Sequence, residues 1–317
     1  MLGISGGPDS VTMLDCLARQ AARTVPAPRL VVAHVNYRLR AGADRDEAWV
    51  RTLAARYHYP CVVWHPAPPP RGVNLQAWAR EQRYAFFVRV ARRRRLPCVA
   101  VAHTADDQAE TVLWHLLRGA GLRGVGGMST IRDVHPGIRL VRPLLHWSRA
   151  HVTQYLRSRH LRSRHDPTNR SPRFTRNRIR AELLPRCEAL VPGATAHLAA
   201  FATRAQEDEA LLAALADRAI RALHLRQQAD SVSWSREYYG HLPKPIRVRI
   251  LRQIVERLIP NGSLQADHLN TMESLIIRGT GAYGLPGPLT FCTTKDRCRI
   301  TKGPLRRLLR RDTKRRV

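Results

Sequence analysis

Ser5-Gly6-Gly7-Pro8-Asp9-Ser10 follows the short apolar stretch Leu2 to Ile4 and precedes the helix-like run Val11 to Leu17. The order is strand, tight glycine turn, helix. Gly6 and Gly7 lack a Cβ, so the chain can turn sharply and bring backbone N–H groups close to an anion. The helix that follows presents unpaired first-turn donors and its positive dipole end. Such a turn is a phosphate cradle. It is not a Walker loop, because no Gly-Lys-Ser/Thr follows, and it lacks the Gly-x-Gly-x-x-Gly spacing of a dinucleotide site. A Ser-Gly-Gly turn also serves as a plain structural loop, so the rest of the chain has to decide.

Further along the chain, Leu30 to Val35 and Cys98 to Ala102 are continuous apolar runs, the pattern of strands buried on both faces of a parallel sheet. Between them Leu75, Trp78, Ala79, Gln82, Phe86 and Val90 recur at helical spacing and predict an amphipathic helix over 74–95. Strand alternating with helix predicts a doubly wound α/β domain whose ligand sits beyond the carboxyl ends of the strands, where SGGPDS, Asn36 and His103 all fall. From Pro143 to about residue 190 the chain reads as mostly helical, and Val191-Pro192-Gly193 breaks it. Residues 195–225 predict one long helix. After residue 230 come a helix at Ile246 to Leu258, strand-like pieces between Gly279 and Ile300, and the basic tail Arg306 to Arg316. The predicted division is 1–190 for the α/β domain, 191–230 for a helical connector, and 231–317 for a smaller α+β domain.

The 317 residues carry 54 Lys+Arg against 24 Asp+Glu, a formal net charge of +30. That excess goes far beyond what solubility requires and predicts a polyanionic partner, with nucleic acid foremost. A hydrophobic content of 44% excludes wholesale disorder. Six scattered cysteines with no C-x-x-C pair read as reduced thiols of a cytoplasmic protein. No run of about 18 apolar residues is present, so no membrane span is expected. The first motif begins at residue 5, which leaves no room for a leader ahead of it. Either the chain starts close to its nucleotide loop or a few residues precede it.

His103-Thr104-Ala105-Asp106-Asp107-Gln108-Ala109-Glu110 follows a predicted strand and opens a helix on which Asp107 and Glu110 share one face. Paired carboxylates at the mouth of a phosphate site suit Mg²⁺, and they equally suit a helix N-terminus. Arg118 returns to the same face roughly 16 Å further along, too far to pair with Asp107 and better placed for a substrate phosphate or a neighbouring loop. Five glycines between residues 119 and 127 predict a loop that is mobile or that allows close backbone approach. In Arg173 to Arg180, Arg176 and Arg180 lie one helical turn apart with Arg173 on the same side. With no acidic residue until Glu182, this cationic face calls for an external anion.

Several motifs in fixed order now resemble one family, the tRNA(Ile)-lysidine synthetases of the PP-loop ATP pyrophosphatase superfamily. They are SGGPDS at 5–10, AHVNYRLR at 33–40 with DRDEA at 44–48, AREQRY at 79–84, AHTADDQAETVLWHLLRGAGLRG at 102–124, RPLL at 142–145, HDPTN at 165–169 and RNRIRAELLP at 176–185. The resemblance covers about the first 190 residues and is weak beyond them. Tyr37-Arg38 stand where the family commonly has His-Gly, and Gln76 where an acidic residue is usual.

The resemblance implies a PP-loop catalytic domain that uses ATP and Mg²⁺ to activate C2 of the wobble cytidine in a CAU-anticodon tRNA(Ile), after which free lysine displaces AMP. It implies that Ser5, Gly6, Gly7, Pro8, Asp9, Ser10, Asn36 and His103 bind ATP. Asp9, Asp107 and Glu110 would hold the metal, and Arg118 would offset developing negative charge. Arg173, Arg176, Arg178 and Arg180 would contact the tRNA, as would the C-terminal domain with its basic tail. A homodimer is compatible with the sequence. Two other readings stay open: a PP-loop tRNA thiolase, which commonly needs paired cysteines, and a non-catalytic RNA-binding protein that has kept the fold.

Overall fold

Alternation along the first strand sets the layers. Met1 packs on one side of the sheet, and Leu2 and Ile4 pack on the other. The same period of two divides Val32 from Val31 and Ala33, and Ala100 from Val99 and Val101, so both faces of the sheet are apolar and must be covered. The computed structural model describes residues 1–164, 175–259 and 264–303. Its first sheet contains β1 (Leu2–Gly3), β2 (Val32–Val35), β3 (Cys61–Trp64), β4 (Cys98–Ala100), β5 (Ile131–His135) and β6 (Ile138–Val141) in the order β3-β2-β1-β4-β6-β5. All neighbours are parallel except the hairpin β5–β6.

Helices α1 (Pro8–Ala22) and α2 (Ala43–Arg56) pack through Met13, Leu14, Val50 and Leu53 on one face, joined by Val152 and Leu156 of α6 (Arg149–Ser158). On the other face α3 (Leu75–Arg94) inserts Phe86, Phe87 and Val90, on the apolar stripe expected of the 74–95 helix. Strand order reverses between β1 and β4. The crevice at their carboxyl ends is therefore the switch point where a doubly wound sheet binds its ligand.

Helix α4 (Ala105–Leu117) starts at that crevice, with Thr104 and Asp107 closing a capping box. The glycine-rich stretch after it contains a short helix, α5 (Leu122–Val125). Close approach explains its composition. Gln108 holds the loop by donating to the Met128 carbonyl at 3.0 Å and accepting from the Met128 N–H at 2.8 Å, and a Cβ on Gly127 would come within 2.8 Å of the Gln108 side chain.

Helix α7 (Thr175–Arg178) continues into a π-helical turn, Ile179–Leu183, and then α8 (Leu184–Leu190). The long helix α9 (Ala194–Ala222) follows, and the chain divides into compact units within it, Met1–Gln206 and Glu207–Val317. The second unit has its own antiparallel sheet of β7 (Arg226–Gln228), β8 (Ser231–Ser235), β9 (Gly281–Leu285), β10 (Leu289–Thr293) and β11 (Arg297–Lys302), in the order β7-β8-β11-β10-β9. Helices α10 (Arg236–Gly240), α11 (Lys244–Leu258) and α12 (Ala266–Arg278) complete it around Trp234, Ile250, Leu251, Ile254, Phe291 and Ile300. Among the described residues no helix is long and apolar enough to cross a membrane. The basic tail, Arg173 and the HDPTN motif lie outside the described residues.

Gly3 ends β1 under the Phe87 ring, where an added Cβ would sit 2.7 Å from a ring carbon. Because Phe87 is buried, the clash cannot be relieved by a swing into solvent. Gly3→Ala is expected to cost about 1–3 kcal/mol. Urea unfolding measures it, and an unchanged midpoint would show that Phe87 yields freely.

Candidate active site

The glycine turn is built as a self-bonded loop. Gly6 adopts φ +91°, a left-handed conformation open to glycine at little cost, while the space beside it would admit a Cβ. Ser10 Oγ accepts from the Gly6 N–H at 3.1 Å and donates to the Gly7 carbonyl at 2.9 Å. Ser5 Oγ donates to Ser10 Oγ at 3.2 Å. The Gly6 N–H, expected to face an anion, is thus spent on Ser10. Pro8 occupies the first helical position and has no N–H to lose, and the Asp9 and Ser10 N–H groups lack intrahelical acceptors. Those two donors, at the positive end of α1, are the remaining anion cradle.

A segment that sequence reasoning missed clamps this loop. The Arg164 N–H donates to the Gly6 carbonyl at 2.8 Å, and its guanidinium reaches Asp46 of α2 at 2.8 Å. Asp46 also pairs with Arg40. Burial alone would raise the Asp46 pKa, yet these two guanidinium groups bring it below the usual carboxylate value. The only signal was the DRDEA motif at 44–48, which carried no assigned role. Asn36, buried at the end of β2, donates to Asp44 at 2.7 Å and to Glu47 at 2.9 Å, so both amide hydrogens serve the α2 carboxylates.

Asp9 follows Pro8 in the first turn of α1, and its Oδ1 is buried without a hydrogen-bond partner. Burial first, and the Asp107 carboxylate second, push its pKa up to about 6. An orphaned carboxylate oxygen beside a second carboxylate suits a cation. Asp107 is 8% exposed. Its Oδ2 accepts from the Thr104 N–H at 2.9 Å, and its Oδ1 accepts from Arg180 at 2.9 Å and Arg176 at 3.5 Å.

Glu110 is fully buried, with Oε1 bonded to Arg180 Nε at 2.5 Å and Oε2 to Arg176 Nε at 3.0 Å. Its lone pairs are committed to guanidinium groups. Among the described residues no three acidic, His or Cys side chains form a metal cage by themselves. Asp107 is bonded to the same guanidinium groups and to Thr104, so Oδ1 of Asp9 is the carboxylate oxygen left open to a divalent ion.

The same contacts correct the expectation that Arg176 and Arg180 need an external anion. Their counter-charges come from Asp107 and Glu110, 66 to 73 residues earlier in the chain. Ionic partners brought by tertiary folding leave no local sequence signal. Arg178 is exposed and pairs with Glu182 at 3.4 Å, within its own element. Arg118 caps the far end of α4, where the helical spacing put it, exposed and with its guanidinium 5.2 Å from the centre of the Trp114 ring. His103 is held by Arg142, whose Nε donates to Nδ1 at 3.0 Å. Burial first, then the positive charge of Arg142, drives the His103 pKa down despite Asp107 nearby. Arg142, of the RPLL motif, is 2% exposed and also donates to the Ser129 carbonyl.

The raised pKa of Asp9 has a pH consequence. Ionising it in the fold costs on the order of 3 kcal/mol, a cost absent below about pH 4 and complete above about pH 6. Asp9→Asn should therefore unfold at higher urea than the parent protein at pH 8, with the gap closing by pH 4. A gap independent of pH would show that Asp9 is not the strained group.

Residues 1–187 match the PP-loop domain family. A tRNA(Ile)-lysidine synthase of Geobacter sulfurreducens is 36% identical over 93% of this chain and 63% of its own length, so the chain spans under two thirds of that relative. Proteins of the same name from Bradyrhizobium diazoefficiens and Bradyrhizobium sp. are 36% and 35% identical. They align over 86% and 96% of this chain and over 76% and 90% of their own lengths. Among solved structures, a U34-tRNA thiolase of Methanococcus maripaludis with its [4Fe-4S] cluster superposes with a TM-score of 0.55 at 18% identity, covering 65% of this chain and 70% of that one. The thiolase likeness shows the shared fold. The switch-point loop, the family match over more than half of the chain and the long alignments to lysidine synthases together place this chain in the tRNA(Ile)-lysidine synthase family of PP-loop proteins.

Proposed function

We propose that the chain ligates lysine to C2 of the wobble cytidine of CAU-anticodon tRNA(Ile), using ATP and forming lysidine, so that the tRNA reads AUA in place of AUG. The observation that carries this reading is the buried, unpartnered Oδ1 of Asp9 in the first turn after the glycine loop, in a chain belonging to this family. The Asp9 and Ser10 N–H groups would bind the pyrophosphate that leaves when the cytidine O2 attacks the α-phosphate. Asp9, with the Asp107 carboxylate beside it, would hold Mg²⁺, which would supply positive charge against the phosphates.

Arg176 and Arg180 keep Asp107 ionised inside the protein, and Glu110 fixes those arginines in place. In the second step the lysine amine attacks C2, AMP departs with the former O2, and the amine's extra proton passes to a base. The exposed Arg178 is proposed to touch the tRNA backbone. The six free thiols fit a cytoplasmic enzyme.

The thiolase reading predicts a sulfur transfer that this chain, with no C-x-x-C pair, is poorly equipped to make. Purified protein given ATP, Mg²⁺ and lysine should convert the wobble cytidine to lysidine with one AMP per product, as read by mass spectrometry of digested tRNA. A sulfur-sized mass gain would establish the thiolase reading instead, and tRNA binding without modification would establish a non-catalytic role. Asp9→Asn should still bind ATP but lose pyrophosphate release by at least about 100-fold. Arg118→Ala, at the remote end of α4, should stay within about twofold of the parent rate, and a collapse would return Arg118 to the site.

A further inference from the structure

The Tyr84 ring is surrounded by guanidinium groups. From its own helix α3, Arg80 lies 4.9 Å and Arg83 5.7 Å from the ring centre, and Arg132 of β5 lies 5.3 Å away. The Tyr84 hydroxyl is buried beside Arg142 without a well-formed hydrogen bond. Among the described residues none of these four arginines pairs with a carboxylate, whereas Arg40, Arg164, Arg176 and Arg180 of the same unit all do. Stacking on an aromatic face is worth about 0.5–1 kcal/mol at an exposed site, too little to cancel the mutual repulsion of several cations. Partial burial first, then repulsion from Arg83, Arg132 and Arg176, lowers the Arg80 guanidinium below its usual value. Among the described residues the group has no carboxylate counter-charge.

Its position and composition indicate which anion. Arg80 and Arg132 are exposed. The cluster borders the crevice, because Arg142 bonds His103 and Arg176, close enough to repel Arg80, bonds Glu110. Free lysine carries a net positive charge and is repelled by such a face. A nucleic-acid strand repeats one negative charge per nucleotide and suits an exposed group of cations.

We propose that Arg80, Arg83 and Arg132, gathered on Tyr84, form a phosphate-anchoring face for the RNA strand whose base enters the crevice. This rests on the reading of the chain as a tRNA-modifying ligase.

The test compares the parent protein with Arg80→Gln/Arg132→Gln and with the charge-keeping Arg80→Lys/Arg132→Lys. Each binds an unmodified CAU-anticodon tRNA(Ile) transcript across a KCl series, followed by fluorescence anisotropy. The Gln pair should flatten the slope of log K against log salt by about 1.4, two contacts at about 0.7 each for single-stranded RNA, and the Lys pair should keep the parent slope. Mg·ATP affinity should be the same in all three.

An unchanged slope in the Gln pair overturns the proposal. So does a parallel loss of ATP affinity, which would make the cluster a nucleotide site, or a raised KM for lysine with the RNA slope intact, which would make it a carboxylate site. Lysidine formation by the parent protein separates this outcome from the broader one. If lysidine forms and the slope does not move, only the anchoring face falls. If the slope moves and no lysidine forms, the face stands and the ligase reading falls. A parent protein that binds no tRNA overturns both.

Discussion

Two carboxylates buried at the start of α4 govern the first unit. Asp107 and Glu110, three residues apart on one helical face, are 8% and 0% exposed. Ionised groups at that depth are tolerable only when paired and hydrogen-bonded, and removing one partner from such a pair costs about 3–5 kcal/mol. The chain must therefore return from residue 175 onward to bring Arg176 and Arg180 over them. That return passes through a π-helical turn at Ile179–Leu183, an irregularity often found at functional sites. Ile179 and Leu184 are buried on the same segment, so apolar packing and charge neutralisation fix it together.

Neutralising those two carboxylates isolates a third. Asp9 stands near them with an unbonded buried oxygen, repelled by Asp107 and attracted less strongly by Arg149 and Arg180. The fold thus settles one part of its acidic cluster with guanidinium groups and leaves another part poised for a cation. The glycine loop beside Asp9 is held from both sides, by Ser10 within and by the Arg164 main chain without. Arg164 is tied through Asp46 to α2, so the loop's geometry depends on that helix as well as on its own bonds. Rigid support of this kind is what a site needs to stabilise charge as it develops.

The second unit repeats the same rule with different groups. Glu273 is buried on α12 and accepts from Arg247 at 2.6 Å and from the Tyr239 hydroxyl at 2.6 Å. Both partners lie on other elements, α11 and α10, so one buried carboxylate draws three helices together over the apolar core around Trp234 and Phe291. Burial pushes the Tyr239 phenol well up, with Glu273 adding to it.

Whatever depends on local periodicity and turn chemistry was legible in the order of residues. The apolar runs ending near Val35 and Ala100, the helix at Leu75–Arg94, the glycine turn at 5–7 and the acidic start of α4 all follow from spacing of two or 3.6 residues and from the freedom of glycine. Strand ends then located the crevice. Which charges meet was settled by packing between distant segments. Arg176 and Arg180 read as a surface stripe because their partners lie some seventy residues away. The clamp of Arg164 and Asp46 on the loop, and the gathering of Arg80, Arg83 and Arg132 on Tyr84, were invisible for the same physical reason. A side chain's charge is written in the sequence, but the dielectric and the neighbours that give that charge its effect are set by packing between distant segments.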